Sequence, residues 1–395
     1  MSLRFLHTAD WQLGKPFAGI TDSTKRHAVQ AERIAVLDRI ATLAAEHQVA
    51  FVLVAGDIFD SPTPTRSLVS QFCAAVGRMG RPVFVIPGNH DHGGPGGVWN
   101  QPFFGQEAAA LAPNLQLLLQ PEPVILPEAV ILPCPLLRRH ESTDLTAWLR
   151  TPLALPDTAA HLPRIGLAHG SVLNFQAGSG NFSDDEERIA ATNHLDLTRI
   201  PSDTYDYFAL GDWHGSLQVN NKAWYAGTPE PDRFAKGDTN LPGHTLLVEV
   251  VRGTAPVVTR INTARLGWHE VAFTFREGLG LEALRAILDP LLGQRTSLDL
   301  LRLRLDGTLG LNDHAALAIY RETLEARLLR LKEDFAVAVE PSESETIALT
   351  QRTGDPLTVD VATNLVKQTA DPDPVRVAVA RAALRALHLA LQPSL

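Results

Sequence analysis

The sequence predicts an α/β fold built on a largely parallel sheet, and three observations carry that prediction. Short apolar runs of four to six residues recur, as strands covered on both faces require. Helical periodicity fills the intervals between the first three runs. Five of the runs stop at a polar cluster in which Asp, Asn or His stands beside glycine or within a few residues of it.

The wider composition is compatible with this and removes other classes. The chain has 395 residues, 45% of them hydrophobic and 20% charged, which excludes intrinsic disorder and collagen-like repeats. A chain of this length buries a large core and divides into two or three units. Cys73 and Cys134 are too few for a disulfide framework or a Cys-rich zinc site. No charged-then-apolar leader opens the sequence and no apolar run is long enough to cross a bilayer. A cytoplasmic protein without membrane partners is therefore expected. Lys and Arg number 35 against 44 Asp and Glu, a net charge of −9. That balance argues against a simple electrostatic nucleic-acid binder. It leaves open an enzyme that meets phosphates through bound cations, which invert the local charge.

Taken in order, Leu3 to Leu6 is a strand leading into His7-Thr8-Ala9-Asp10-Trp11-Gln12-Leu13-Gly14. Ile34, Leu37, Ile40 and Ala44 then share one helix face. Phe51 to Ala55 is a strand leading into Gly56-Asp57-Ile58-Phe59-Asp60. Leu68, Val69, Phe72, Val76 and Met79 form the next helix face. Val83 to Pro87 leads into Gly88-Asn89-His90-Asp91, Ile165 to Ala168 into His169-Gly170, and Tyr207 to Leu210 into Gly211-Asp212-Trp213-His214-Gly215. Strand–helix–strand repetition implies parallel strands, whose carboxyl ends gather ligands. The five clusters are thus expected at one rim. A single Gly-Asp or Asn-His pair is ordinarily a turn; five of them, each after a buried strand, are hard to obtain by chance.

Such a rim offers Asp10, Gln12, Asp57, Asn89, His169, Asp212 and His214. Oxygen and imidazole donors without thiolate admit Mn, Fe, Zn or Mg. A carboxylate shared by two cations places them a few Å apart, an arrangement suited to in-line displacement at a phosphoester.

The set Asp10-x-Gln12, Gly56-Asp57-x-x-Asp60, Gly88-Asn89-His90-Asp91, Ala168-His169-Gly170 and Gly211-Asp212-x-His214 resembles the calcineurin-like metallophosphoesterase superfamily. Residues 7–14, 55–60 and Tyr225-Ala226-Gly227-Thr228-Pro229-Glu230 are similar to its SbcD/Mre nuclease branch. The resemblance implies a four-layer αββα sandwich with two divalent ions, Mn favoured. By motif, Asp10, Asp57 and His214 would hold the first ion, with Gln12 where the family has His. Asp57, Asn89, His169 and Asp212 would hold the second, Asp57 bridging. His90 would sit beside the phosphoester, and Asp60 would orient His90. The implied activity is metal-dependent DNA nuclease action in DNA repair, with DNA and an SbcC/Rad-type coiled-coil ATPase as partners and homodimerisation allowed. Two residues depart from the family pattern. Gln12 is a poorer ligand than imidazole, while Asp212 adds a carboxylate where imidazole is usual, which favours Mg or Mn. These departures keep two alternatives open: a phosphoesterase acting on nucleotides or other small phosphodiesters, and a non-catalytic binding subunit.

Other residues read more plainly. His7 lies within the first strand and is expected in the core. Residues 177–180 read as a loop running into an acidic helix start at 184–187. Past the last motif, strands are expected over His244 to Val251 and Val257 to Ile261. Then come a strand from Val271 to Phe275, a helix from Leu281 to Leu292, a strand from Leu298 to Leu305, a helix from Asp313 to Lys332 and a strand from Phe335 to Val339. The expected division is a nuclease domain over 1–265, an α+β capping domain over 266–340, and a linker with a terminal amphipathic helix over 341–395. That helix would show Val375, Val379, Ala383, Leu387 and Leu391 on one stripe, for docking on a partner or on its own domain.

Overall fold

The computed structural model describes residues 2–175, 192–234 and 241–391, so the loop and acidic stretch expected over 177–187 lie outside the described residues. The chain divides into two compact units, Met1–Leu266 and Gly267–Leu395.

The strands of the first unit begin with β1 (Leu3–Thr8), β2 (Val52–Ala55), β3 (Val83–Ile86), β4 (Leu115–Leu117) and β5 (Val124–Ile125). Next come β6 (Val130–Cys134), β7 (Arg164–His169), β8 (Ser171–Val172), β9 (His194–Leu195) and β10 (Tyr207–Gly211). The last are β11 (Leu217–Gln218), β12 (Ala223–Tyr225), β13 (His244–Val250) and β14 (Val257–Asn262). They form two six-stranded sheets, ordered β14-β13-β1-β2-β3-β4 and β11-β12-β10-β7-β6-β5, with β8 and β9 paired apart. Within each sheet the strands that lead to the motifs run parallel. Leu6 pairs with Val52 and Val54 with Val85 in the first sheet, and Ala168 lies between Leu210 and Cys134 in the second. Their carboxyl ends therefore share an edge.

Helix α1 (Ser23–Glu46) starts where the Asp22 carboxylate accepts the amides of Thr24 and Lys25, and α2 (Arg66–Arg78) where Thr65 accepts that of Leu68. Helix α3 (Pro102–Leu111) opens on proline, whose missing donor is harmless in the first turn. Val36, Leu37 and Ile40 of α1 join Val69, Phe72 and Val76 of α2 in one core with Val52 and Val54 of β2. Each such side chain contributes about 1.5–3 kcal/mol on burial. A second core brings Phe5, Phe51 and Ile86 of the first sheet together with Ile165, Leu167 and Tyr207 of the second. His7 sits in this layer, its Nδ1 2.8 Å from the Tyr207 hydroxyl, and burial pushes its pKa down to about 3. Among the described residues, the far face of the second sheet is covered by loops and short 3-10 turns such as Ala147–Arg150 and Leu197–Arg199.

The second unit carries a parallel sheet of β15 (Gly267–Phe275), β16 (Asp299–Leu309) and β17 (Arg330–Val339), with α4 (Leu281–Leu292) and α5 (Leu311–Arg327) as crossovers. The helix expected to reach Lys332 stops at Arg327. Residues from Arg330 onward pair with β16 from Leu300, and this ladder overrides the helical period. The stretch read as a linker holds two more helices. A capping box between Ser342 and Glu345 opens α6 (Glu343–Thr350), and Asp355 with Pro356 opens α7 (Pro356–Gln368). In α8 (Pro374–Ala390) the buried face runs through Ala380 and Leu384, while Val375 and Val379 of the expected stripe are exposed. No described helix is long and apolar enough to cross a membrane.

Candidate metal centre

Asp10 and Gln12 follow β1, Asp57 follows β2, Asn89 and His90 follow β3, His169 ends β7, and Asp212 follows β10. Four of them have left-handed backbones: Asp10 at φ 53°, Gln12 at 48°, Asp57 at 54° and Asp212 at 111°. For an L-residue this costs roughly 1–2 kcal/mol, so the surroundings must enforce it. Main-chain bonds between the first two loops do so. Asp10 N donates to Gly56 O at 3.1 Å, Gln12 N to Asp57 O at 2.9 Å and Leu13 N to Ile58 O at 2.8 Å. Gly56 also leaves room for the imidazole, since a Cβ there would lie 2.4 Å from His169 Nδ1.

The donor atoms of Asp10, Asp57 and His169 all lie within 4.8 Å of one another and are buried. His169 Nδ1 donates to Ala55 O at 2.8 Å, which fixes the ring and assigns Nε2 to the cluster. Around Nε2 stand Asn89 Oδ1 at 2.8 Å, Asp57 Oδ1 at 3.5 Å and Asp212 Oδ1 at 3.8 Å, all acceptors. Such an array calls for a cation. In the chain by itself the cation is a proton: burial alone would lower the His169 pKa, but Asp57, Asp10 and Asp212 outweigh it and raise it to about 9. Burial, with Asp57 and Asp212 beside it, likewise holds the Asp10 carboxyl well above its ordinary range. With the proton gone, Nε2 and the surrounding oxygens form a donor set that fits a divalent ion. Loading Mn at about pH 7.5 is therefore expected to release roughly one proton from His169. Affinity should rise with pH until about 9, where that proton is already lost. Calorimetry in buffers of different ionisation enthalpy measures the release, and binding without it would remove Nε2 from the ligand set.

Asp212 is oriented from both sides. Its amide donates to the Asp10 carboxylate at 3.2 and 3.3 Å, and the Ser171 hydroxyl donates to its Oδ2 at 2.8 Å. Three further expected site residues meet partners that their spacing alone did not specify. Gln12 enters the cluster as a donor: its amide nitrogen lies 2.9 Å from Asp57 Oδ2, while its Oε1 faces Lys15 Nζ at 3.5 Å. An amide carries both functions, and the carboxylate claims the N–H side. His214 meets Asp232, with Nδ1 donating to Oδ1 at 2.9 Å, and the Arg233 guanidinium at 3.3 Å from Nδ1. Burial lowers its pKa, against the pull of Asp232. Asp60 contacts His90 through its main-chain carbonyl, 3.1 Å from Nδ1, while its carboxylate lies 3.6 Å from Lys15 Nζ. The His90 amide also donates to Asp57 Oδ1 at 2.9 Å.

Sequence reasoning missed the groups that brace these loops. The buried Asp91 carboxylate accepts the amides of Gly88, Ile58 and Phe59 at 2.7, 2.8 and 3.1 Å, and burial with Asp57 nearby pushes its pKa up to about 7. Its place after Asn89-His90 was the available signal. Arg33, buried on α1, donates to the carbonyls of Asp10, Trp11 and Glu230 and to the Thr228 hydroxyl. Asp232 binds both His214 and Lys15, and its carboxyl is held well below the usual range: burial opposes this, but His214, Arg233 and Lys15 prevail.

Two mixed sheets, the first covered by helices on its outer face, carry carboxylate, amide and imidazole donors on a shared edge and define a metallophosphoesterase-type domain. The model of the calcineurin-like phosphoesterase family matches residues 3–236, and the chain belongs to that family. It is 39% identical over 92 residues to the D subunit of the nuclease SbcCD from Escherichia coli (strain K12), covering 22% of this chain and 21% of that protein. To the corresponding protein of Bacillus subtilis (strain 168) it is 38% identical over 94 residues, 23% of this chain and 22% of that one. The chain thus spans about a fifth of these relatives. Among solved structures, TT1561 of Thermus thermophilus aligns at a TM-score of 0.38 and 10% identity, covering 67% of this chain and all of that one. GAP50, the anchor in the inner membrane complex of Plasmodium, aligns at 0.37 and 13%, covering 66% and 85%.

Proposed function

We propose that the chain is a divalent-metal-dependent phosphodiesterase acting on DNA, a nuclease of the SbcD type in DNA repair. The observation that supports this most is the convergence of Asp10, Asp57, Asn89, His169 and Asp212 on one strand edge. The partial similarity to the D subunits of SbcCD nucleases supports DNA as substrate. Asp57, Asn89, His169 and Asp212 would hold one ion and Asp10, Asp57 and His214 a second, Mn being favoured. When bound, such ions supply Lewis acidity toward phosphoryl oxygens and activate water.

The chain's own residues do the rest. Asp57 would belong to both ligand sets, and it fixes the His90 loop by accepting the His90 amide. His90, with Nδ1 committed to the Asp60 carbonyl, offers Nε2 to hold the proton that the leaving oxygen takes. Residues 266–340 serve as a cap over substrate, and 341–395 dock an SbcC-like ATPase or a second copy of the chain.

Purified protein with Mn is expected to cleave linear duplex DNA and to turn over bis-p-nitrophenyl phosphate. Hydrolysis confined to bis-p-nitrophenyl phosphate or cyclic nucleotides would replace DNA by small phosphodiesters. Absence of any Mn-dependent turnover would favour a non-catalytic binding role, the reading for which Gln12 and Asp212 speak.

A further inference from the structure

The chain leaving β6 emerges beside His169, because Cys134 pairs with Ala168. Two sets of hydrogen bonds tie the residues that follow to the site. Gly93 N donates to Leu136 O at 2.8 Å, joining the loop that carries His90. The Asn193 side chain donates to Arg139 O at 3.1 Å and accepts the Glu141 amide at 2.7 Å. Asn193 O receives Ser171 N at 3.1 Å, and Ser171 in turn holds Asp212. Between these anchors Arg138, Arg139 and His140 are all exposed.

Among the described residues Arg139 closes no ion pair, and Arg138 acts on Glu141 without closing one, its charge helping to lower that carboxyl's pKa. The adjacent acid is already engaged: Glu141 Oε1 accepts from the amides of Ser142 and Thr143 and from the Thr143 hydroxyl, at 3.0, 3.2 and 3.0 Å. In a chain of net charge −9, two exposed arginines on a loop bonded both to the His90 loop and to Asn193, whose carbonyl holds Ser171, offer a place for negative charge.

We propose that Arg138 and Arg139, with His140 beside them, form a subsite for the phosphate that flanks the scissile one. It holds a polynucleotide strand in register and sets the preference for DNA over small phosphodiesters. The inference rests on the phosphodiesterase reading above. A guanidinium fork takes two phosphate oxygens at once, which fixes orientation as well as charge. A strand presents one phosphate per ~3.4 Å of helix axis. Three extended residues span at most ~10 Å, so the turn reaches one or two neighbours of the bond being cut. Contacts of this kind position the strand without reading its sequence.

The test compares wild type, Arg138→Gln/Arg139→Gln and Arg138→Lys/Arg139→Lys on a DNA oligonucleotide and on bis-p-nitrophenyl phosphate. For the Gln pair, KM for DNA is expected to rise about tenfold. The slope of log kcat/KM against log salt should flatten by about one to two. Turnover of the small diester should stay within about twofold, because it has no flanking phosphate. The Lys pair should keep the wild-type salt slope, since the charge remains. An unchanged KM and slope in the Gln pair would overturn the subsite, and so would equal losses on both substrates. A wild-type protein inactive on both substrates would overturn the phosphodiesterase reading instead.

Discussion

Replacing Asp57 with Asn is expected to lower metal-dependent turnover by about 10³-fold or more, with the fold retained. Asn suits the test because it tolerates the left-handed backbone at this position better than other neutral residues that carry a Cβ. The change removes the carboxylate that faces Gln12, the His90 amide and the His169 ring together. It also removes the strongest influence that raises the His169 pKa, so that ring should titrate below its wild-type value of about 9. Asp10 repels Asp57 while the protonated His169 attracts it, so the two effects on the metal-free fold oppose one another. Added Mn should stabilise wild type strongly and the variant little. Equal stabilisation of both proteins by Mn would remove Asp57 from the centre.

His90 gives the second large effect. His90→Ala is expected to cut kcat on DNA by about 10²–10⁴-fold, the range for a positioned proton donor. Mn affinity should hardly change, since the ring lies on Asp60 O rather than in the ligand cluster. The leaving group decides the mechanism. A nitrophenolate departs without a proton, whereas the alkoxide of a nucleotide needs one, so the loss on bis-p-nitrophenyl phosphate should be far smaller. Equal losses on the two substrates would assign His90 to charge stabilisation instead.

The rim was legible because a parallel strand fixes where its next residue goes. An apolar run followed by Gly-Asp or Asn-His marks both the strand and its exit, and the sheets then bring those exits together. Partner choice was not legible. Gln12 could be assigned to a metal position by spacing, yet only the surrounding carboxylate and Lys15 decide that its N–H side faces inward. Asp60 does meet His90 as its spacing suggested, but spacing does not distinguish a side-chain contact from the main-chain one found. Beyond the first unit, the helices of residues 343–368 were hidden by weak apolar periodicity. Their capping signals at Ser342 and Asp355 were present in the sequence.

The left-handed backbones at Asp10, Gln12, Asp57 and Asp212 have a consequence for anyone evolving this enzyme. Glycine in any of the four would relax the backbone but would also delete side-chain bonds that join Asp10, Gln12, Asp57 and Asp212 to one another and to His169. A laboratory screen that scores turnover beside heat resistance would therefore keep these four side chains in place.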